Sequence, residues 1–119
     1  YIMNKVSCYV RTQRLMSGLT QKDLQALLPT TGRNRVSTTE RALHPPNGGE
    51  ILAYEVIFGL PADELFPKEF VAAEEVVVAK AYAIHQGLES NTDARSAKKR
   101  AFLEAILARA VDRRQRKGL

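Results

Sequence analysis

The sequence lacks several features that stabilise or identify other classes of protein. Its 119 residues include one cysteine, Cys8, and no tryptophan, so a disulfide within the chain is excluded. Cys8 lies in an apolar helical pattern, and we interpret it as a small core residue rather than a nucleophile. No apolar run reaches the roughly eighteen residues of a membrane span. The first residues, YIMNKVS, are too polar for a secretory signal, so we expect a cytoplasmic protein with an ordinary hydrophobic core.

Residue patterns typical of enzymes and of metal sites are also missing. The two histidines, His44 and His85, lie far apart and have no cysteine or carboxylate at the spacing of zinc ligands. The segment NGGE lacks the lysine and the preceding strand of a phosphate-binding loop. Glu74 and Glu75 are neighbours on a predicted helix, so their side chains diverge and do not form a catalytic pair. We therefore predict no catalytic residue, no metal and no cofactor.

The charges are distributed unevenly along the chain, whose net charge is +5. Residues 1–44 hold seven basic and two acidic side chains, residues 45–92 hold two and eight, and residues 93–119 hold nine and three. Basic segments attract polyanions, of which nucleic acid is the first candidate and an anionic membrane the second. We expect the acidic middle segment to face solvent or to pair with the basic segments.

Apolar residues recur at helical spacing throughout, and no stretch alternates for long enough to predict a strand. We therefore predict an all-α fold. A domain over residues 1–67 has five helices, and a C-terminal region over 68–119 has two. The predicted helices cover about 4–17, 20–28, 33–43, 50–58, 61–66, 69–87 and 93–116.

Local signals and apolar spacing define the helices of the first domain. Gly18 ends the first helix, Thr20 caps the second and Pro29 stops it, while Gly59 ends the fourth. The residues that we expect to face the core are Val6, Val10 and either Gln13 or Met16 in the first helix, Leu24, Leu27 and Leu28 in the second, and Val36, Thr39 and Leu43 in the third.

The third helix has hydrogen-bond donors on the side opposite its predicted core face. Arginine binds guanine, and asparagine adenine, through two hydrogen bonds in the major groove, so we predict that this face contacts DNA rather than being an ordinary solvated surface. The predicted base contacts are Arg33, Asn34, Arg35, Ser37 and Thr38. The predicted phosphate contacts are Thr20, Gln21, Lys22, Arg11, Arg14, Arg41 and His44. For Thr20 we favour N-capping over a phosphate contact.

Four segments of the first domain follow one another in a characteristic order. They are SGLTQKDL at 17–24, VSTTER at 36–41, Pro46, and FGLPADELF at 58–66. In this order and spacing the sequence resembles the Xre-type helix-turn-helix regulators, which include Cro and the phage repressors, over residues 4–67. Two positions depart from the family pattern. Gln25 stands where a small residue is usual, and Pro29 where glycine is common.

The resemblance implies a five-helix repressor-like domain and a function. Members of this family repress transcription by binding palindromic operators as two-fold dimers, through the major groove. The resemblance also implies that Gln21 contacts backbone phosphate and that Glu40, beside Arg41, has a structural role. Because such regulators are common in phages, plasmids and other mobile elements, it implies a nucleoid-associated protein in the cytoplasm of a bacterium or a phage-infected cell.

The two C-terminal helices match no family pattern. Apolar residues recur in the helix at 69–87 at steps of three and four, close to a heptad seam: Phe70, Ala73, Val77, Ala81, Ile84 and Leu88. The helix at 93–116 has a similar face of Phe102, Leu103, Ile106, Leu107 and Ala110. We predict a homodimer interface formed by Val77, Ala81, Ile84, Leu88 and that second face. Packing of these residues on the first domain is the alternative.

Other partners of the C-terminal region stay open. In a second functional hypothesis the chain is an antitoxin-like interaction module, whose C-terminal helices bind a protein partner while DNA binding is secondary. The basic tail, DRRQRKGL, would add phosphate contacts, bind a further partner or simply be solvated. Binding of the last helix to a membrane surface is a weaker hypothesis, because Phe102 is its only aromatic residue.

Overall fold

The computed structural model describes residues 8–30, 32 and 34–118. Across those residues the chain forms seven α-helices and no strand, which confirms the prediction of an all-α protein. No helix in this part of the chain is both long and apolar enough to cross a membrane. Val6 and Arg33, which are named in the predictions above, lie outside the described residues. The helices are α1 (Val10–Met16), α2 (Gln21–Leu27), α3 (Arg35–Glu40), α4 (Gly48–Phe58), α5 (Ala62–Leu65), α6 (Pro67–Gly87) and α7 (Ala94–Arg116).

The chain divides into two compact units between Val71 and Ala72, four residues after the predicted boundary. The first unit contains α1 to α5 and the first turn of α6. The second contains the remainder of α6 and all of α7. The division therefore falls inside a helix rather than in a loop.

The first unit is built around one hydrophobic core to which all of its helices contribute. Tyr54 of α4 lies at its centre, is fully buried, and packs against two other rings, with its centroid 6.3 Å from that of Phe58 and 5.7 Å from that of Phe66. Burial raises the pKa of Tyr54 to about 12. Cys8 packs against this core as predicted, and burial raises the pKa of its thiol. The remaining buried apolar residues are Val10, Leu24, Leu28, Val36 and Leu65.

Two capping boxes fix the starts of α2 and α4. Thr20 accepts a hydrogen bond from the Asp23 backbone N–H, and the Asp23 carboxylate accepts one from the Thr20 N–H, each at 3.0 Å. Asn47 and Glu50 make the same pair of bonds at 2.9 Å. Each box satisfies two N–H groups that the helix itself leaves without acceptors. Thr20 is thus the predicted N-cap, whereas α4 begins at Gly48, two residues before its predicted start.

The end of α3 differs most from the prediction. The helix stops at Glu40 because Ala42 takes a left-handed conformation, with φ 58°, and the Leu43 N–H bonds back to the Thr38 carbonyl at 2.9 Å. This is the hydrogen-bond pattern of a Schellman C-cap. The turn carries Leu43 off the buried face of α3, so its side chain is 57 % exposed rather than in the core.

Two further residues are exposed: Leu27, which was predicted to face the core, and Met16, which was the alternative to the half-buried Gln13. Met16 is in the last turn of α1 and is 76 % exposed, while Leu27 of α2 is 56 % exposed. The buried faces of both helices are narrower than the apolar pattern predicts. In α1 the buried residues are Val10 and Arg14, and in α2 the buried residue is Leu24.

In the second unit, α6 and α7 run antiparallel and are joined by polar contacts. The Arg113 guanidinium donates two hydrogen bonds to the Glu74 carboxylate, at 2.5 and 2.9 Å. His85 lies 2.8 Å from Glu104, and Arg100 donates to the Leu88 carbonyl at 2.7 Å. The residue numbers of these contacts rise along α6 and fall along α7, so the contacts define the antiparallel register of the hairpin.

This register overturns part of the predicted apolar seam. Glu74 and His85 occupy the side of α6 that is joined to α7, together with the buried Ala81. The predicted seam residues Ala73, Val77 and Ile84 are exposed instead. Charged and polar pairs join the hairpin beside the buried apolar residues Ala81, Leu103 and Ala110. The apolar stripe, on the neighbouring side of α6, is left open.

Candidate nucleic-acid interface

The helix pair α2–α3 is held together by two side chains of α2. Gln21 donates from its Nε2 to Glu40 Oε1 at 3.0 Å, which ties the start of α2 to the end of α3. Gln25 accepts through its Oε1 a hydrogen bond of 3.2 Å from the Val36 backbone N–H, which ties the middle of α2 to the first turn of α3. The predicted phosphate contact Gln21 therefore already has one partner inside the protein.

Arg14 does not lie on the surface as a free cation. Its guanidinium donates to both oxygens of Glu40, at 2.6 and 3.2 Å, and to the Leu19 carbonyl at 3.0 Å. The residue is 8 % exposed. We therefore remove Arg14 from the predicted phosphate contacts, because these bonds use its guanidinium to fasten α1 to α3. Glu40 is correspondingly a structural residue of the first unit.

Arg35 is likewise engaged inside the protein, although it was predicted to contact a base. Its Nε and Nη2 donate to the two oxygens of Glu50, at 2.8 and 2.6 Å. The Glu50 side chain is 1 % exposed, and the Arg35 side chain is 28 % exposed. The hydrogen bonds from Arg35 are the main reason why the pKa of Glu50 lies below its ordinary value. Withdrawing the arginine would leave a buried carboxylate without its cation, so we remove Arg35 from the predicted base contacts.

The other predicted base contacts occupy the first turns of α3. Asn34 is the N-terminal flanking residue, is exposed, and has a left-handed backbone with φ 59°. Its side chain makes no capping bond, because Gln25 already binds the Val36 N–H. Ser37 and Thr38 are half-buried, and the Thr38 hydroxyl lies 3.0 Å from the Asn34 carbonyl oxygen. Of this set, Asn34 therefore has the most accessible side chain.

The predicted phosphate contacts on the surface of the first unit are a set of unpaired polar residues. Arg11, Lys22, Arg41 and His44 are all exposed, and none of them makes a hydrogen bond or ion pair through its side chain with a residue that the structure describes. Arg11 lies in α1, Lys22 in the first turn of α2, and Arg41 directly after α3. These cations are free to bind an anion.

The acidic residues of α1–α3 already have hydrogen-bond or ion-pair partners within the protein. Between residues 8 and 44 the acidic residues are Asp23 and Glu40. Asp23 belongs to the capping box of α2, whose bonds from Thr20 lower the pKa of its carboxyl, and Glu40 is bound by Arg14 and Gln21. The unpaired charge on the described part of α1–α3 is consequently all positive, and such a surface attracts polyanions.

Sequence reasoning missed two residues that shape this surface. Gln25 was noted only as a departure from the family pattern, and nothing in its local sequence indicates that it caps another helix. Glu50 was placed at the start of α4 without a partner. The spacing of Asn47 and Glu50 in NGGE is that of a capping box, and this signal could have placed Glu50 at the buried start of the helix.

The described residues show no arrangement suited to a metal ion. No group of three or more histidine, cysteine, aspartate or glutamate side chains comes together in this part of the chain. His44 is exposed after α3, and His85 contacts Glu104 on the helical hairpin. Neither histidine therefore belongs to a cluster of possible metal ligands among the described residues.

Neither a protein-family model, nor a curated protein, nor a solved structure matches the chain significantly. The resemblance to Xre-type regulators therefore stays a hypothesis based on the order and spacing of its motifs, and the function has to be argued from the charges and contacts described above.

Proposed function

We propose that this protein is a sequence-specific DNA-binding regulator of transcription, most simply a dimeric repressor, and that α3 enters the major groove. The observation that carries the proposal is the separation of charges on α1–α3. Its acidic side chains are bound internally, while Arg11, Lys22 and Arg41 are exposed and have no side-chain partner among the described residues. A phosphate backbone supplies the anions that such a surface lacks.

Base recognition in this proposal centres on the start of α3. A helix that enters the major groove reads base edges with side chains near its N-terminus. Gln25 binds the Val36 N–H, and the Asn34 side chain makes no capping bond, so the NH2 and C=O groups of its amide stay available. An asparagine amide can bind adenine through these two groups. Ser37, one turn further on, and the neighbouring Arg33 complete the set that we propose to contact bases.

The exposed stripe on α6 gives the proposed dimer its interface. Ala73, Val77 and Ile84 recur at heptad-like spacing and lie open to solvent, with Val77 49 % and Ile84 51 % exposed. Two such stripes would form the seam of a coiled coil or four-helix bundle. A two-fold dimer would then present two copies of α3 to the two halves of a palindromic operator.

The other residues predicted for this interface are less suitable. Ala81, Leu103 and Ala110 are buried within the chain itself, so they are not available to a second copy. Leu88, Ile106 and Leu107 are half-buried. Phe102 is 64 % exposed, but it lies among the basic side chains of α7, and two copies of that face would repel each other.

Selection of bound sites from random DNA duplexes tests the proposal directly. We expect a two-fold motif to be enriched. On that motif Asn34→Ala should weaken binding by about 1–3 kcal/mol, with a much smaller loss on random duplex. Replacing Lys22 and Arg41 together by alanine should weaken binding to both duplexes. The matched control is Lys68→Glu, which lowers the net charge by the same two units at an exposed position of α6 outside the apolar stripe.

The dependence on salt supplies a second measurement. If Arg11, Lys22 and Arg41 each neutralise one phosphate, affinity per protomer should fall about 40-fold between about 50 and 200 mM salt, from a slope of about −2.7. Failure to enrich any motif, or equal losses for the Lys22/Arg41 variant and its charge-matched control, would reject the proposed DNA interface.

The exposed α6 stripe also supports a second candidate function, that of an antitoxin-like module that binds a protein partner. In that case the same apolar residues would be covered by a different chain. The oligomeric state separates the two candidates. A stable homodimer in solution favours the DNA-binding regulator, and a monomer at concentrations well above those in a cell favours the module.

A further inference from the structure

The basic residues of α7 fall into two groups. One group is bonded within the second unit. Arg113 and Arg114 face Glu74, the Arg116 guanidinium lies 3.0 Å from Asp112, and Arg100 donates to backbone carbonyls. Most basic residues of the tail, for which phosphate contacts were one of the predicted roles, therefore already contact acidic side chains of the second unit.

The second group lies on one outward side of the helix. Arg95, Lys98, Lys99 and Arg109 are exposed, and none makes a hydrogen bond or ion pair through its side chain with a residue that the structure describes. Phe102 lies between them at helical spacing, and it is 64 % exposed. We call Arg95, Lys98, Lys99, Phe102 and Arg109 the outer face of α7.

A shallow, open pocket lies on this face. It has a volume of about 590 Å³ and is lined by Arg95, Lys98, Lys99, Ala101 and Phe102. Its walls are almost wholly apolar, because they consist of the Phe102 ring and the aliphatic stems of the basic side chains. The charged ends of these side chains lie around an apolar floor, an arrangement suited to a flat aromatic group that carries negative charge beside it.

Stability of the helix does not account for these cations. Arg95 lies in the first turn of α7, where the helix dipole favours negative charge, and Lys98 and Lys99 lie in the second. The carboxylate of the N-cap residue Asp93 is hydrogen-bonded to Ser96, and no acidic residue lies in the first turn itself. Like charges three and four residues apart also repel one another. The placement is unfavourable for the isolated chain, and an anionic partner would relieve it.

We propose that the outer face of α7 binds single-stranded nucleic acid. Arg95, Lys98, Lys99 and Arg109 would contact phosphates along one strand, and Phe102 would stack on an unpaired base. The cations extend over about 21 Å of helix, at about 1.5 Å per residue. Single-strand-binding proteins combine a basic track with aromatic platforms in this way. This function is separate from the duplex binding proposed for α1–α3 and does not rest on it.

Other occupants fit the face less well. A duplex keeps its bases stacked and so offers nothing to Phe102. A membrane-bound helix needs a broad apolar face, whereas Phe102 stands alone among cations and the apolar residues Leu103 and Ala110 are buried. A second copy of the face would bring like charges together.

The charge requirement can be measured by fluorescence anisotropy on the full chain with a labelled oligothymidine of about twelve nucleotides. Lys98→Ala with Lys99→Ala should weaken binding roughly tenfold and reduce the salt slope by about 1.4. The matched control is Lys68→Glu, which lowers the net charge equally at an exposed position of another helix and should change affinity less than about twofold. An equal loss of oligothymidine affinity in the two variants would show that only the net charge matters, and it would overturn the proposal.

The stacking requirement has its own variants. Because Phe102 is exposed, Phe102→Leu and Phe102→Ala should leave the helical circular dichroism unchanged while weakening oligothymidine binding at least about fivefold. A leucine variant that binds like the wild type would overturn the stacking role. So would a duplex of the same length bound as tightly as the single strand, or anionic vesicles bound in preference to either.

One comparison separates this proposal from the proposed duplex function. Asn34→Ala should leave oligothymidine affinity unchanged, and the Phe102 variants should leave the affinity for the selected duplex unchanged. Loss of single-strand binding in the Asn34 variant would place that binding on α3 and overturn the role of α7.

Discussion

At the scale of single residues, carboxylates decide which arginines are free to bind a partner. Glu40 and Glu50 are nearly inaccessible to solvent and bind Arg14 and Arg35. Arg41, only one residue beyond Glu40, makes no ion pair with the described residues and is exposed. A count of basic residues therefore overstates the positive charge that α1–α3 has available for an anionic partner.

We predict that Glu50→Gln will lower the free energy of unfolding at neutral pH by about 2 kcal/mol, measured by urea denaturation. The carboxylate is buried and accepts hydrogen bonds from Arg35 and Asn47, and the amide cannot replace the charge. Glu55→Gln is the control, since the Glu55 carboxylate, on the same helix, makes no ion pair with the described residues.

The same variant should change how stability depends on pH. Because the pKa of Glu50 is lowered in the folded protein, its contribution is fully present above its unfolded pKa and is lost as the pH falls through its folded pKa. The difference between wild type and Glu50→Gln should consequently shrink in acid, below about pH 4. A difference that stayed constant from neutral pH down to pH 3 would show that Glu50 is not the titrating group.

At the scale of the elements, α3 is a six-residue helix with a left-handed residue on each side, Asn34 and Ala42. Asparagine tolerates this conformation, whereas alanine is strained by about 1–2 kcal/mol. We predict that Ala42→Gly will stabilise the protein by about 0.5–1 kcal/mol, after the greater freedom of glycine in the unfolded chain is subtracted.

The control for this prediction is Ala26→Gly, at an exposed position inside α2, which should lower stability by about 1 kcal/mol. Thermal or urea unfolding of the two variants gives opposite signs if Ala42 is strained. If both glycine variants were destabilised to the same extent, the left-handed turn after α3 would not be a source of strain.

The helices of the first unit could largely be predicted from the sequence because their signals are local. Thr20 and Gly59 mark a start and an end, and the apolar spacing identifies Val10, Leu24 and Val36 as core residues. The end of α3 could not be predicted, because nothing in the sequence marks Ala42, an ordinary helix former, as a left-handed residue.

The long-range ion pairs could not be predicted for a different reason. Arg35 and Glu50 are 15 residues apart, and Arg113 and Glu74 are 39 apart, so neither pair follows from helical spacing. Because the sequence does not reveal these pairs, we predicted that the most apolar side of α6 forms a helix–helix interface. For the same reason we predicted that the arginines at the start of α3 contact bases. Both errors have the same origin. A single sequence does not show whether a charged residue is paired in the interior or exposed to solvent.

At the scale of the whole molecule, the exposed stripe of Ala73, Val77 and Ile84 should determine the oligomeric state. We predict that Val77→Glu with Ile84→Glu will convert a homodimer into a monomer in sedimentation equilibrium, because four like charges would meet across the seam. Val111→Glu, at an exposed apolar position of α7, is the control and should leave the dimer intact. A dimer that survives the double substitution has its interface elsewhere.

The hydrogen bond from the Val36 N–H to Gln25 also bears on protein engineering. The first turn of α3 is anchored by a side chain of α2, and its two ends are fastened by Arg14 through Glu40 and by Glu50 through Arg35. A helix that is held by contacts with three other helices cannot be transferred as an independent segment. Grafting residues 34–41 alone into another protein would lose the contacts with Arg14, Gln25 and Glu50. The smallest segment that keeps all of these contacts extends from Arg14 to Glu50.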